Sequence, residues 1–107
     1  MKLQGQVALI IGGARGIGET IAHTFSKEGA SLVLADLDKM KTELDAVAQA
    51  VNQKGGKAIA ITADCSDDRQ VNQLVDETVR RFGKIDVLIN SAGFRGPLVA
   101  VTRSEEH

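Results

Sequence analysis

Gly12-Gly13-Ala14-Arg15-Gly16-Ile17-Gly18 follows directly on the apolar run Val7-Ala8-Leu9-Ile10-Ile11. Five consecutive apolar residues are expected of a strand covered on both faces. Beyond the turn, apolar residues recur at Ile17, Ile21, Ala22 and Phe25, which predicts a helix over about Ile17 to Glu28. A glycine-rich turn between strand and helix is what a pyrophosphate needs. It brings backbone N–H groups and the positive end of a helix dipole to the ligand, with no side chain in the way. Gly12 would allow the sharp exit from the strand, Gly16 close approach to the ligand, and Gly18 packing of the helix on the sheet. Glycine-rich turns are common and weak evidence alone; placement between strand and helix makes this one specific.

Working outward, Leu32-Val33-Leu34-Ala35 reads as a second buried strand ending at Asp36. Met40, Leu44, Val47 and Val51 line one face of a second helix starting near Asp38, and Gly55-Gly56 stops it. Ala58-Ile59-Ala60-Ile61 is a third strand. Ser66, Asp67 and Asp68 supply a cap and first-turn acids. Val71, Leu74, Val75, Val79 and Phe82 form the buried stripe of the helix that follows, and Gly83 closes it. Asp86-Val87-Leu88-Ile89-Asn90 is a fourth strand. Alternating strands and helices predict an α/β, Rossmann-like, doubly wound parallel sheet of order 3-2-1-4, truncated, with helices on both faces. Its last strand would then lie at an open apolar edge, which invites association. Thr102-Arg103-Ser104-Glu105 has capping-box spacing and predicts another helix opening at Thr102.

Composition narrows the function classes. The 107 residues are 43% hydrophobic with a formal net charge of −1, so no basic surface points to nucleic acid. The apolar runs are far shorter than the roughly 18 residues of a membrane-spanning helix, and no signal peptide is evident. A cytoplasmic protein is expected, with no membrane partner. The single cysteine excludes an internal disulfide and most cysteine-based metal sites. There is no tyrosine, so no phenol can serve this chain as a proton donor.

Asp36 lies at the end of the second strand, where a carboxylate accepts hydrogen bonds from ribose hydroxyls and repels the extra phosphate of NADP. The plainer alternative is a strand-end turn shared with Asp38. Arg15 argues the other way, since a cation in the turn can bind a 2′-phosphate. It is equally readable as a solvated loop residue or as a partner of Asp36. On balance NAD is expected over NADP.

These residues carry a family resemblance. The Gly12-x-x-x-Gly16-x-Gly18 spacing looks like the short-chain dehydrogenase/reductase family. Asp64 after the third strand, the Phe82–Asn90 approach and Asn90-Ser91-Ala92-Gly93 are similar to further family motifs, with Ser91 where the family has a second Asn. The resemblance covers about Gly5 to Thr102. It implies a cofactor-binding set of Gly12, Arg15, Gly16, Ile17, Gly18, Asp36, Asp64, Cys65, Asn90, Ala92 and Gly93, with Asp64 near the adenine. The family's Tyr-x-x-x-Lys pair and Ser are not found. The chain therefore resembles the N-terminal, cofactor-binding half of a longer enzyme, inactive alone. The parent would transfer a hydride between NAD(P)H and a small carbonyl or alcohol, such as a 3-oxoacyl-carrier-protein or a sugar or polyol. It would be a homo-oligomer.

Two other functions remain open on the residues alone. One is a non-catalytic nucleotide-binding module. The other is a methyltransferase-like domain, against which Asn90-Ser91-Ala92-Gly93 argues. Plain readings suit several further residues. His23 falls off the apolar stripe and should face solvent, Cys65 should be partly buried, Asp64 could simply cap Ser66, and Lys39 to Asp45 should be a solvated face. Phe94 to Leu98 resemble a loop beside a substrate cleft, and His107 is an expected terminal tail.

Overall fold

The computed structural model describes residues 2–91, 98–100 and 103–104. In chain order the elements are β1 (Val7–Ile11), α1 (Gly16–Lys27), β2 (Ser31–Asp36), a 3-10 turn (Asp38–Met40), α2 (Lys41–Gln53), β3 (Lys57–Thr62) and α3 (Asp68–Phe82). Then follow β4 (Lys84–Ile85), β5 (Val87–Asn90), β6 (Leu98–Ala100) and β7 (Arg103–Ser104). A five-stranded sheet has the order β3-β2-β1-β5-β6. Its first four strands are parallel, and β6 runs antiparallel to β5, pairing Leu88 with Ala100 and Asn90 with Leu98.

Period-two alternation divides β1 and β2 between two cores. Ala8, Ile10, Leu32 and Leu34 face α1 and α2, where Ala22, Leu44, Val47 and Val51 cover them. Leu9, Ile11, Val33 and Ala35 face α3, meeting Leu74 and Val75. Continuous apolar strands are thus what a sheet with helices on both faces requires. Burying each of the leucine, isoleucine and valine side chains among these contributes about 1.5–3 kcal/mol, which makes β1 and β2 the centre of both cores.

Polar side chains set the ends of the sheet. Asp86 accepts the Val7 N–H at 2.8 Å, and its own N–H donates to the Val7 carbonyl at 2.9 Å. Lys84 Nζ lies 3.0 Å from the same carboxylate. Asn52 at the end of α2 donates to the Ala58 carbonyl at 2.9 Å and accepts its N–H at 2.8 Å, tying helix to strand.

The sheet departs from the expected four strands at its far edge. β5 is the expected fourth strand without Asp86, and β6 covers the edge that was expected to lie open. Arg103 and Ser104 do not open a helix. They pair antiparallel with Ile85 and Lys84 as a separate two-stranded ribbon. A four-residue capping pattern carries no information about long-range strand pairing, and here the pairing dominates. Thr102 and Glu105 lie outside the described residues.

The helices depart in smaller ways. The expected start of α2 is a 3-10 turn, so α2 proper begins at Lys41. Along α3, Leu74, Val75 and Thr78 are the buried positions, with Val71, Val79 and Phe82 partly buried around them. Thr78 tolerates this because its hydroxyl donates to the Leu74 carbonyl at 2.8 Å. No helix among the described residues is long and apolar enough to cross a membrane.

Candidate functional site

The C-terminal ends of β1, β2, β3 and β5 frame a cleft of about 720 Å3. In open α/β sheets this is the end, and the point of reversed strand order, where ligands bind. The turn after β1 is built by backbone contacts to β2. The N–H groups of Gly12 and Gly13 both donate to the Ala35 carbonyl, at 2.7 and 3.1 Å. Gly12 sits at φ +86°, a conformation other residues rarely adopt. Gly18 lies beneath the turn. A Cβ there would overlap the Gly12 carbonyl oxygen and come 2.9 Å from Ser91 Oγ. Glycine at 18 therefore lets α1 start directly against the turn, as the packing role predicts.

The first N–H groups of any α-helix have no partner inside the helix. At α1 the cap residue is Arg15, extended at φ −166°, and no side chain caps these groups. Gly12, Arg15, Gly16 and Ile17 all line the cleft. The positive end of the helix thus opens toward the cleft with no capping side chain. Ile17 departs from the expected buried stripe: it is 54% exposed, because the first turn projects over the cleft rather than onto the sheet.

Asp36 bridges the turn and the strand end. Its carboxylate accepts the Ala14 N–H at 3.1 Å and the Leu37 N–H at 2.8 Å. No ion pair joins it to Arg15 among the described residues, so the pairing weighed for Arg15 does not occur there. Arg15 is exposed at the rim. Asp36 remains in the cleft wall, and two carboxylate oxygens accept more hydrogen bonds than these two.

On the β3 side, Asp64 accepts from the Ser66 hydroxyl at 2.6 Å and the Ser66 N–H at 2.9 Å. These bonds, the hydroxyl first, hold its carboxyl below the usual carboxylate range. The loop-capping role is thus present, and Asp64 also lines the cleft. Cys65 lines it too, partly buried. Desolvation pushes its thiol up, and the charges of Asp64 and Asp36 add to this. A thiol in that state is a weak nucleophile.

Asn90 closes the cleft from β5. Eight of the eleven expected residues therefore meet around one cavity: Gly12, Arg15, Gly16, Ile17, Asp36, Asp64, Cys65 and Asn90. Gly18 supports it from below, and Ala92 and Gly93 lie outside the described residues, as do Phe94 to Pro97 and His107. His23 is half-buried rather than solvent-facing, with its Nε2 4.0 Å from Glu19 on the same helix.

Seven lining residues stand outside the expected set, and three of them bear on the geometry. Leu37, 38% exposed, and Lys39 line the cleft because the 3-10 turn carries them back over the strand end. Their signal was the Asp at 38, a turn former that delays the helix. The third is Ser91. Its N–H donates to the Ile11 carbonyl at 2.9 Å, and its Oγ lies 3.1 Å from that carbonyl and 3.3 Å from the Gly12 carbonyl.

Comparison with known proteins follows this geometry. A family model for short chain dehydrogenase matches residues 6–106. An uncharacterized oxidoreductase of Methylorubrum extorquens is 41% identical over 106 residues, which is 99% of this chain and 42% of the relative. A 3-oxoacyl-acyl-carrier-protein reductase of Thermotoga maritima is 34% identical over 106 residues, again 99% of this chain and 42% of the relative. The chain thus spans less than half the length of these curated relatives. Among solved structures, a blue fluorescent protein from a metagenomic library, in complex with NADPH, superposes with a TM-score of 0.83. It is 37% identical, over 88% of this chain and 38% of that one.

Proposed function

The chain belongs to the short chain dehydrogenase family, and we propose that it is the dinucleotide-binding half of a hydride-transferring oxidoreductase. The observation that carries this reading is the uncapped, glycine-lined N-terminus of α1, opening into the 720 Å3 cleft beside Asp36. The pyrophosphate would lie on the first-turn N–H groups of α1. The adenosine ribose would reach Asp36, with the adenine between Leu37 and the Asp64–Cys65 segment. The nicotinamide side would face Asn90. The cofactor supplies the hydride when bound; the residues of this chain hold and orient it.

A negative Asp36 at the ribose favours NAD, the reading expected above. A second reading, NADP, is favoured by Arg15 and Lys39, two cations lining the same cleft. The NADPH complex of the structural relative supports this second reading. The proton-transfer residues and the carbonyl or alcohol substrate belong to a further part of the protein in this proposal. The 107 residues contain no tyrosine, so they are expected to bind without turnover. A 3-oxoacyl thioester or a polyol is the proposed substrate class.

Titration of the folded chain with NADH and NADPH in a calorimeter tests the reading. Saturable one-site binding is expected, tighter for NADH. Binding of neither dinucleotide sinks the proposal. Tighter NADPH binding that weakens with salt would select the second reading.

A further inference from the structure

We propose that Ser91 is a positioning residue for the turn after β1. Its hydroxyl holds the Gly12 carbonyl in place, so that the N–H groups opening α1 face the cleft. The inference deepens the dinucleotide reading above and rests on it for its ligand.

The backbone alone accounts for only part of what Ser91 does. Its N–H extends the β1–β5 pairing by donating to the Ile11 carbonyl at 2.9 Å, which any residue except proline would do. The side chain adds something specific. Its single hydroxyl proton has two acceptors within reach, the Ile11 carbonyl at 3.1 Å and the Gly12 carbonyl at 3.3 Å. Gly12 is where the chain reverses, at φ +86°.

The turn is therefore held from two sides by opposite kinds of group. From β2, the Ala35 carbonyl takes the Gly12 and Gly13 N–H groups, and the Asp36 carboxylate takes that of Ala14. From β5, Ser91 supplies a donor to the carbonyls of the same turn. The first three bonds fix where its N–H groups point. The Gly12 carbonyl shares one planar peptide with the Gly13 N–H, so the Ser91 hydroxyl and the Ala35 carbonyl hold that unit from its two sides, with the Gly12 carbonyl against Gly18 in the first turn of α1. Rotation of the Gly12–Gly13 peptide would swing that carbonyl away from Gly18 and turn the next N–H groups with it.

Space selects the side chain as well. A Cβ on Gly18 would come 2.9 Å from Ser91 Oγ, so the hydroxyl already touches the start of α1. Serine reaches the two carbonyls with one atom beyond Cβ. A longer side chain would press on the helix.

The test uses the full 107-residue chain with Ser91→Ala and Ser91→Thr. Amide hydrogen exchange is read at Gly12, Gly13 and Ala14, with Leu32 to Leu34 of β2 as the core reference. Loss of one hydrogen bond predicts about tenfold faster exchange at the turn after Ser91→Ala, with the β2 amides unchanged. NADH affinity should fall by a similar factor of about ten. Ser91→Thr, which keeps the hydroxyl, should restore both. Unchanged exchange at the turn, an equal rise at every amide, or failure of Ser91→Thr to restore would each overturn the proposal. If Ser91→Ala does not fold, the pair Ser91→Thr and Ser91→Val, matched in shape, decides by the same readout. If the unaltered chain binds neither dinucleotide, the functional reading fails, while the exchange data still decide the role of Ser91.

Discussion

Two helices, α1 and α3, start at the same end of the sheet, each following a parallel strand, and they treat their N-termini in opposite ways. At α3 the cap is Asp67, whose carboxylate accepts the Arg69 N–H at 2.9 Å, and Asp68 follows in the first turn. Asp67 thus satisfies one free N–H group, and both acids complement the helix dipole. At α1 the cap is Arg15, without a capping side chain, and glycines stand at 12, 13, 16 and 18 around it. The same physical deficit is filled by the protein at one helix and left open at the other, where the proposed dinucleotide would fill it. The binding end is thus marked by what the sequence withholds as much as by what it supplies.

Substitutions can break this contrast. The largest effect is expected from Gly18→Ala, because its Cβ would overlap the Gly12 carbonyl oxygen. A cost of about 1–3 kcal/mol is expected for such overpacking. Denaturant unfolding should show that loss, and calorimetry should show dinucleotide affinity reduced beyond measurement. Retained affinity would mean that the start of α1 is not the ligand site.

Asp36→Ser comes next. Removing the charge should reverse or erase the preference for NADH over NADPH. It also removes the bond to the Ala14 N–H, so NADH affinity should drop about tenfold while NADPH affinity falls less. Binding isotherms with the two cofactors, compared as a ratio, check this; an unchanged ratio would take Asp36 out of the ribose subsite.

Asp67→Ala sharpens the comparison from the other helix. Loss of the cap should cost about 1 kcal/mol of stability. Dinucleotide affinity of the folded chain should stay the same, because this N-terminus already serves itself. A parallel fall in affinity, measured below the melting temperature, would refute the division of labour between the helices.

The smallest effect is the acid response of Asp64. Its carboxyl is held below the usual range, by the Ser66 hydroxyl first. A depressed folded-state value contributes stability above the unfolded value, and that contribution is lost as pH falls through the folded one. Asp64→Asn should therefore flatten the pH dependence of the melting temperature only below the ordinary carboxylate range. A change confined to neutral pH would contradict the assignment.

Much of this was legible in residues 7–90. The β1 run, the glycine turn and Asp36 are local patterns, and local patterns carry strand, helix and cap information directly. The far edge was not legible. Pairing of Leu98–Ala100 with β5, and of Arg103–Ser104 with β4, depends on contacts between distant segments that no window of sequence encodes. Ile17 was misplaced for a related reason. It lies where a helix begins, and a shift of one turn decides whether a side chain meets the sheet or the cleft. Ser91 looked like a mild change of motif because its function lies in carbonyls 79 and 80 positions away.

That separation bears on the order of assembly. β1, β2 and β3 are consecutive in sequence, with one helix between each pair, so their pairing closes short loops. Asp86 meets Val7 across 79 positions, and Ser91 meets Ile11 across 80. Long loops close later, since their entropy is lost before their contacts form. The pocket is therefore completed by the last strand to dock, and the chain spends its early folding without a binding site. Pulsed hydrogen exchange during refolding should find β2 protected before the Ser91 amide. Simultaneous protection would mean that β1, β2 and β5 come together in a single step.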